Sequence, residues 1–487
     1  MLATPTINLL SIRLCTVKLK KIVSAVALAS VASFGMTAHA DEKAYADFPV
    51  TVKDYKGDAE HSVSYTGQIA RQVLHTSLKK LAGQGNGEPN AELNAKMMAY
   101  FEGKDAGREI ISPKTKGDFV IAETNVDDLS KKKNLAGKAY KGAVTSWPGN
   151  MTGAEVLAFM IDKASSANKG YDKINGLDYA QLISKFTMGA VFYNQAVDNY
   201  LDEKLEADTK PNNKPYKAGK AYTGKEHVWD EAFGYFGVPA NTLSLTPKQA
   251  YTVAKGKEGG LALADANKDG KVSLYNEMLF AHGYYAAATD KSGKTNYLHT
   301  ITKAFIDGRQ LITDAKGEAL SDAERTQLKA YAATIAENWE KVIAEAVFKY
   351  AGSTYKDIEK LNAALDAKED ISKVMRGYAK HWGELKGFAM ALQMSGKDLG
   401  ATSVQLNRLI GFGPVLLGNT QVTGIDAEGN YVQSSTVTLD EYMLQMLKVQ
   451  QLMVNEFGVE ARSKDVLASM GDLVKKLGEQ AAEAEND

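Results

Sequence analysis

The chain has a single cysteine, Cys15, in 487 residues. That excludes a disulfide framework and any zinc or iron–sulfur site built from several cysteines. It also lacks a dominant charge: 58 Lys and Arg face 59 Asp and Glu, a formal net charge of −1. Such a balance argues against a nucleic-acid binder that relies on a large basic patch. Beyond the first forty residues no eighteen consecutive residues are apolar, so no later segment reads as a membrane span. G-x-S-x-G, a glycine-rich phosphate loop and H-E-x-x-H are all missing, which removes the usual signs of a serine hydrolase, a nucleotide binder and a zincin protease. What is present is 44% hydrophobic and 24% charged, too apolar for disorder and long enough for a sizeable core. Ten prolines among many alanines and lysines favour helix over a β-sandwich.

The first forty residues read as a secretory signal peptide. Lys18, Lys20 and Lys21 precede an apolar run from Ile22 to Met36, and Ala38-His39-Ala40 is an A-x-A cleavage site. Cleavage removes Arg13, Lys18, Lys20, Lys21 and Cys15 but no acid. It leaves 447 residues, 54 bases against 59 acids, a net charge of −5 and no thiol. A cysteine-free exported chain fits a bacterial periplasm, with secretion beyond it open, and rests on packing rather than crosslinks. Thiol catalysis is excluded with the cysteine.

From residue 41 to 487 the periodicity predicts an all-α domain of antiparallel helical bundles. Helices are expected at Ser64–Leu81, Ala91–Phe101, Thr152–Ser165, Leu177–Leu201, Lys225–Phe236, Pro247–Lys255, Ser273–Ala288, Leu298–Leu311, Asp322–Tyr350, Thr354–Ala367, Asp370–Met394, Leu439–Phe457 and Ser463–Ala484. Residues 103–150 read as a long irregular loop. A polar, two-proline stretch at 204–222 marks a weak sub-boundary. Gly424, Gly429 and the β-branched residues around them predict a small hairpin near 420–432.

The sharpest motif lies in an insertion at 238–277. Asp265, Asn267 and Asp269 occupy positions one, three and five of a calcium-type loop, with Gly270 at the turn and the Lys271 carbonyl at position seven. Asn276 stands at position twelve, where a bidentate acid is usual, and Glu277 follows. The bland alternative is an acidic turn capping a helix from Ser273. We expect bound Ca2+ with a structural role.

Two helices pair histidine with acids. Asp230 and Glu231 lie three and four residues after His227, and Glu384 lies three after His381, the spacing of a helical half-site for iron or zinc. Taken alone, a solvated face at His227 and a hydrogen-bonded core histidine at His381 are the commoner outcomes. If the two helices faced each other, the pairs would make a four-ligand site. His61, His75, His282 and His299 lack this context.

Five stretches carry a family resemblance: Ser64-Tyr-Thr-Gly67-Gln68, Lys185-Phe-Thr-Met188-Gly189-Ala190, His227-Val-Trp-Asp230-Glu231, Lys303-Ala-Phe-Ile-Asp-Gly308-Arg309 and His381-Trp-Gly-Glu384-Leu-Lys-Gly-Phe388. Over roughly residues 60–460 the chain resembles the bacterial exported family called domain of unknown function 4856. More distantly it is similar to imelysin-like proteins, which are helical, exported and associated with iron uptake. Their G-x-H-x-x-E motif falls here on Lys225, His227 and Asp230, with Glu231 one residue on. The resemblance implies an all-helical fold, export and a metal ion or metal complex as ligand, with an outer-membrane iron-uptake system as partner. The expectation is therefore a non-enzymatic periplasmic protein of metal acquisition. The alternatives are a structural or interaction protein holding calcium only, and a metal-dependent hydrolase using His227, Glu231 and Asp230.

Overall fold

Helix ends in this chain are written by short polar signals. Thr152, Thr223, Thr246, Ser321 and Thr438 each accept the N–H of an acid or glutamine three residues on, whose side chain returns to the cap N–H. These reciprocal bonds satisfy donors that a helix start leaves free. A computed structural model describes residues 44–486; the predicted signal peptide and its cleavage site lie outside them. Among the described residues there are fifteen α-helices and two small sheets. The helices are α1 (Thr66–Ala82), α2 (Ala91–Phe101), α3 (Val126–Leu129), α4 (Gly153–Ser166), α5 (Tyr179–Thr187), α6 (Gly224–Phe236), α7 (Pro247–Lys255), α8 (Gly260–Ala264), α9 (Ala281–Asp290), α10 (Tyr297–Asp314), α11 (Asp322–Asp366), α12 (Ser372–Leu392), α13 (Gly400–Ile410), α14 (Leu439–Phe457) and α15 (Met470–Asn486).

Helix α11 is the spine. Its 45 residues span roughly 68 Å at the usual helical rise, and it packs against α9, α10, α12 and α14. Its first half buries one stripe, Leu328, Ala332, Ile335 and Trp339. From Val342 to Tyr355 almost every residue is buried, so the helix enters the middle of the molecule. Two separate helices were expected here, with a break at residues 351–353. The structure has one, and Gly352 serves a close approach: a Cβ there would meet the Lys464 carbonyl oxygen at 1.9 Å.

The same core continues through α1, α5, α6 and α12. Helix α5 continues into a π-wound stretch, Met188–Tyr200, which packs on α6 and α12. Glycines set the α5–α12 distance. A Cβ on Gly387 would come within 2.5 Å of the Lys185 Cβ, and one on Gly189 within 2.2 Å of the Ala391 Cα.

Strands β1 (Tyr171–Asp172) and β2 (Leu177–Asp178) form a two-residue ladder that the periodicity does not reveal. The hairpin expected near 420–432 is present as antiparallel β3 (Thr420–Ile425) and β4 (Tyr431–Ser435), with a bulge at Val422/Gly424. Helix α13 was not anticipated, and α15 begins seven residues later than expected. The helix expected from Ser273 begins only at Ala281, since residues 273–280 form turns tied down by Glu277 and Glu123. The irregular reading of 103–150 agrees with the structure apart from α3 and one short 3-10 turn. The polar stretch at 204–222 wraps around α6: the buried Lys225 ammonium donates to the carbonyls of Lys204, Glu206 and Thr209. No helix among the described residues is long and apolar enough to cross a membrane.

Candidate binding cleft and the predicted metal positions

The calcium-type loop is folded around its first acid. Asp265 accepts the N–H of Asp269 at 3.1 Å and of Gly270 at 2.9 Å, and Asp269 accepts that of Lys271 at 2.8 Å. Asn267 accepts from the Asp269 N–H at 3.0 Å and donates to its carboxylate at 3.2 Å. Gly270 supplies the left-handed turn at φ +83°. Val272, fully buried, pins the loop by pairing its backbone with Val120 and Ala122. Oxygens at positions one, three, five and seven suit a hard cation. Glu277 takes a different part from the expected ligand. Its two oxygens accept the N–H groups of Ala266, Asn267 and Ser273, so it clamps the backbone. The Asn276 carbonyl is engaged by the Ala240 N–H at 2.7 Å.

At the first histidine helix the acids separate. Asp230 turns away from His227 into the interior, where it accepts from Arg309 Nε at 2.9 Å, the Tyr45 hydroxyl at 2.9 Å and the Ser64 N–H at 2.9 Å. Arg309 also donates to Glu226 at 3.0 Å, Ser62 at 2.6 Å and Thr313 at 2.7 Å. The expected His227–Asp230 half-site is therefore not formed, because the buried guanidinium claims the carboxylate. Glu231 stays near His227, 3.7 Å from Nε2, and accepts from Gln68 at 2.6 Å. The imidazole packs against both Tyr216 and Tyr222, with ring centroids 4.1 and 4.8 Å away. Burial lowers its pKa, and Lys210, Lys133 and Lys217 add to the effect against Glu231. A cation here would meet that lysine field.

At the second helix His381 Nδ1 pairs with Asp357 of α11, not with Glu384. Three residues along a helix turn a side chain by 300°, and here that carries Glu384 to another neighbour, the Tyr350 hydroxyl at 3.1 Å. His227 and His381 share no partner: the first meets Tyr216, Tyr222 and Glu231, the second Asp357 and Tyr350. Among the described residues no group of three or more His, Cys, Asp or Glu is placed to hold a metal ion.

Glu384 instead faces a cleft that the motif search passed over. The cleft has a volume of about 390 Å³ and is walled by α1, α5, the end of α7, the start of α9 and α12. Four lysines line it, Lys79, Lys116, Lys185 and Lys255, against one acid, Glu384. A second chamber of about 230 Å³ shares Ser112, Pro113, Lys116, Ala254, Lys255 and Met278 with it and adds Lys80 and Lys114. Lys185 is 4% exposed and Glu384 7%. The Lys185 ammonium lies 5.2 Å from the Tyr285 ring centre and 5.8 Å from that of Phe388. Burial lowers the pKa of both Lys79 and Lys185, with Glu384 opposing.

His75, set aside at the sequence level, lines the same cleft at 4% exposure. Its Nε2 lies 2.9 Å from the Ser184 carbonyl and 3.1 Å from the Ser184 hydroxyl. Bonding to the carbonyl makes Nε2 the protonated nitrogen, so it is no base for Ser184. Its buried Nδ1 has no partner. Burial lowers its pKa to about 3. The signal that sequence reading could have used is the pair His75 and Lys79, one helical turn apart on an α1 face that also carries Gln72 and Thr76.

The family model described as "Domain of unknown function (DUF4856)" matches residues 53–380. That span contains His75, Lys79, Lys185, His227, the calcium-type loop and Arg309, and stops short of the 381–388 stretch. No curated protein and no solved structure matches the chain.

Proposed function

The chain belongs to the family of the domain of unknown function DUF4856, and we propose that it is an exported, non-enzymatic periplasmic protein that holds a metal complex in the cleft beside Glu384. The observation that carries this reading is the cleft itself: about 390 Å³, apolar on its aromatic side, with buried charged groups converging on it. A complex suits it better than a bare ion. Glu384 is the only acid lining it, and the lysines favour a metal that brings its own anionic shell. Binding suits it better than catalysis, since Ser184 has no base at His75 Nε2. The signal peptide expected at 1–40 and the resemblance to imelysin-like proteins read from the sequence support metal acquisition, with an outer-membrane iron-uptake system as the partner. In this reading Ca2+ occupies the 265–277 loop through Asp265, Asn267, Asp269 and the Lys271 carbonyl and stiffens it.

The test is calorimetry on the mature protein with ferric citrate, and separately with Fe2+ and Zn2+. Micromolar binding of the complex, lost in a Lys116→Glu, Lys255→Glu double variant with the fold intact, is expected. Binding of the free ions with no response to the complex overturns the reading. A second reading, a structural protein with calcium only, is favoured by the loop geometry. It predicts a melting temperature that falls with EDTA and no response to any complex.

A further inference from the structure

Resting on the binding role proposed above, we infer that the cleft recognises a small hydroxylated polyacid, its acid groups against Lys79 and Lys185 and a hydroxyl against His75. Three observations converge. First, Lys79 on α1 and Lys185 on α5 line the same cleft, and the Lys79 charge disfavours that of the buried Lys185. Such a pair is costly unless an anion bridges it. Glu384 acts on both through space but spends a hydrogen bond on Tyr350. Second, Lys116 and Lys255 extend the positive lining into the second chamber, so a ligand with more than one acid finds partners along its length. Third, His75 offers an acceptor. With Nε2 donating to Ser184, Nδ1 carries a lone pair with no partner among the described residues, on a side chain that lines the cleft, and a ligand hydroxyl is a donor of the kind it lacks. A simple polyanion has no donor to give; a hydroxyl beside its acids does.

Glu384 sets the orientation. It is the one negative edge, so acid groups turn toward α1 and α5 and away from α12. Gly387 keeps this register, because the α5 backbone at Lys185 lies against it and a Cβ there would push the ammonium out of line. The acids themselves are carboxylate or phosphate, since both offer anionic oxygens of similar reach.

Calorimetry on the mature protein at low salt separates the elements. Citrate carries three carboxylates and a hydroxyl; tricarballylate carries the same three carboxylates without it. Citrate is expected to bind about five-fold or more tightly than tricarballylate. His75→Phe should erase that preference while leaving tricarballylate binding in place. Lys185→Met and Lys79→Met, each checked for an unchanged circular dichroism spectrum, should weaken both ligands at least ten-fold. 3-Phosphoglycerate, with one phosphate, one carboxylate and a hydroxyl, decides which acid is preferred. Equal binding of citrate and tricarballylate overturns the His75 element. Citrate binding untouched by both lysine variants overturns the whole inference, while leaving a binding role for the protein intact. If ferric citrate and all three acids fail to bind, both this inference and the role beneath it fall.

Discussion

Charge is buried in two places, and they are built in opposite ways. Around Arg309 a fully buried guanidinium meets Glu226 and Asp230, and each acid is further held by Thr51, Thr223, Tyr45 or the Ser64 N–H. One cation there meets two acids, but the donor nitrogens of Arg309 are all spent and each acid has further partners, and the cluster ties the lead segment at 45–64 to α6 and α10. Around Lys185 the cations outnumber the acid, an imidazole nitrogen is unpartnered, and the atoms surround a cavity. A cluster whose donors are all spent, with no space beside it, supports the fold. A cluster with excess cations beside space is a place prepared for something else. Composition hides the difference, since a chain of net charge −1 has room for both.

Breaking the Arg309 cluster gives the largest expected effect. Arg309→Met leaves Glu226 and Asp230 buried against each other without their cation. It should cost about 3–5 kcal/mol in urea unfolding. A loss below about 1 kcal/mol would mean that the acids reach water or protons easily, and the contrast with the cleft would collapse.

The sequence made one half of each cluster visible and misassigned it. Asp230 and Glu384 stand out because each follows a histidine by three residues. The partners that decide their roles, Arg309 and Tyr350, are 79 and 34 residues away. Local spacing reads what shares a helix, not what packs against it. For the same reason His75 was passed over: its neighbours come from α5, and no acid lies one turn away on α1. Features with local causes were legible. Helix α2 and helix α7 run from end to end as expected, capped by Asn90 and Thr246, and the hairpin follows from Gly424, Gly429 and β-branched neighbours. The break expected at 351–353 does not form, and Gly352 there has a tertiary purpose, the passage of the Lys464 backbone.

Two histidines sharpen the contrast at intermediate size. His282 is packed against Trp339 and Tyr193 in the closed core, with Nε2 on the Met188 carbonyl; His75 faces the cleft. Burial holds both neutral, with pKa values lowered to about 4 and about 3. In the unfolded chain each titrates near 6.5, so between that value and the folded one the unfolded state binds more protons. Stability is therefore retained above pH 6.5 and lost as pH falls, by about 2 kcal/mol per histidine at pH 5. Chemical unfolding at pH 7 and pH 5 reads it. His75→Gln and His282→Gln should each remove roughly half of this histidine contribution; unchanged pH dependence in both would show that carboxylates alone set the acid limit.

The smallest effect carries the opposite sign. Lys185→Met keeps a flexible side chain of similar length against Tyr285 and Phe388 and removes an ammonium that Lys79 opposes and burial penalises. In the absence of ligand the variant should match the natural chain or exceed it by about 1 kcal/mol, since replacing an unmatched buried charge with an apolar group relieves its desolvation. Arg309 and Lys185 are both buried cations, yet one substitution should weaken the fold and the other should not. Thermal melts with and without citrate give the second half of the argument. The natural chain should gain several degrees and Lys185→Met almost none, because ligand binding stabilises only the state that can hold it. A loss of 2 kcal/mol or more in the ligand-free variant would place Lys185 with Arg309 as a structural charge, and the imbalance at the cleft would no longer mark a site.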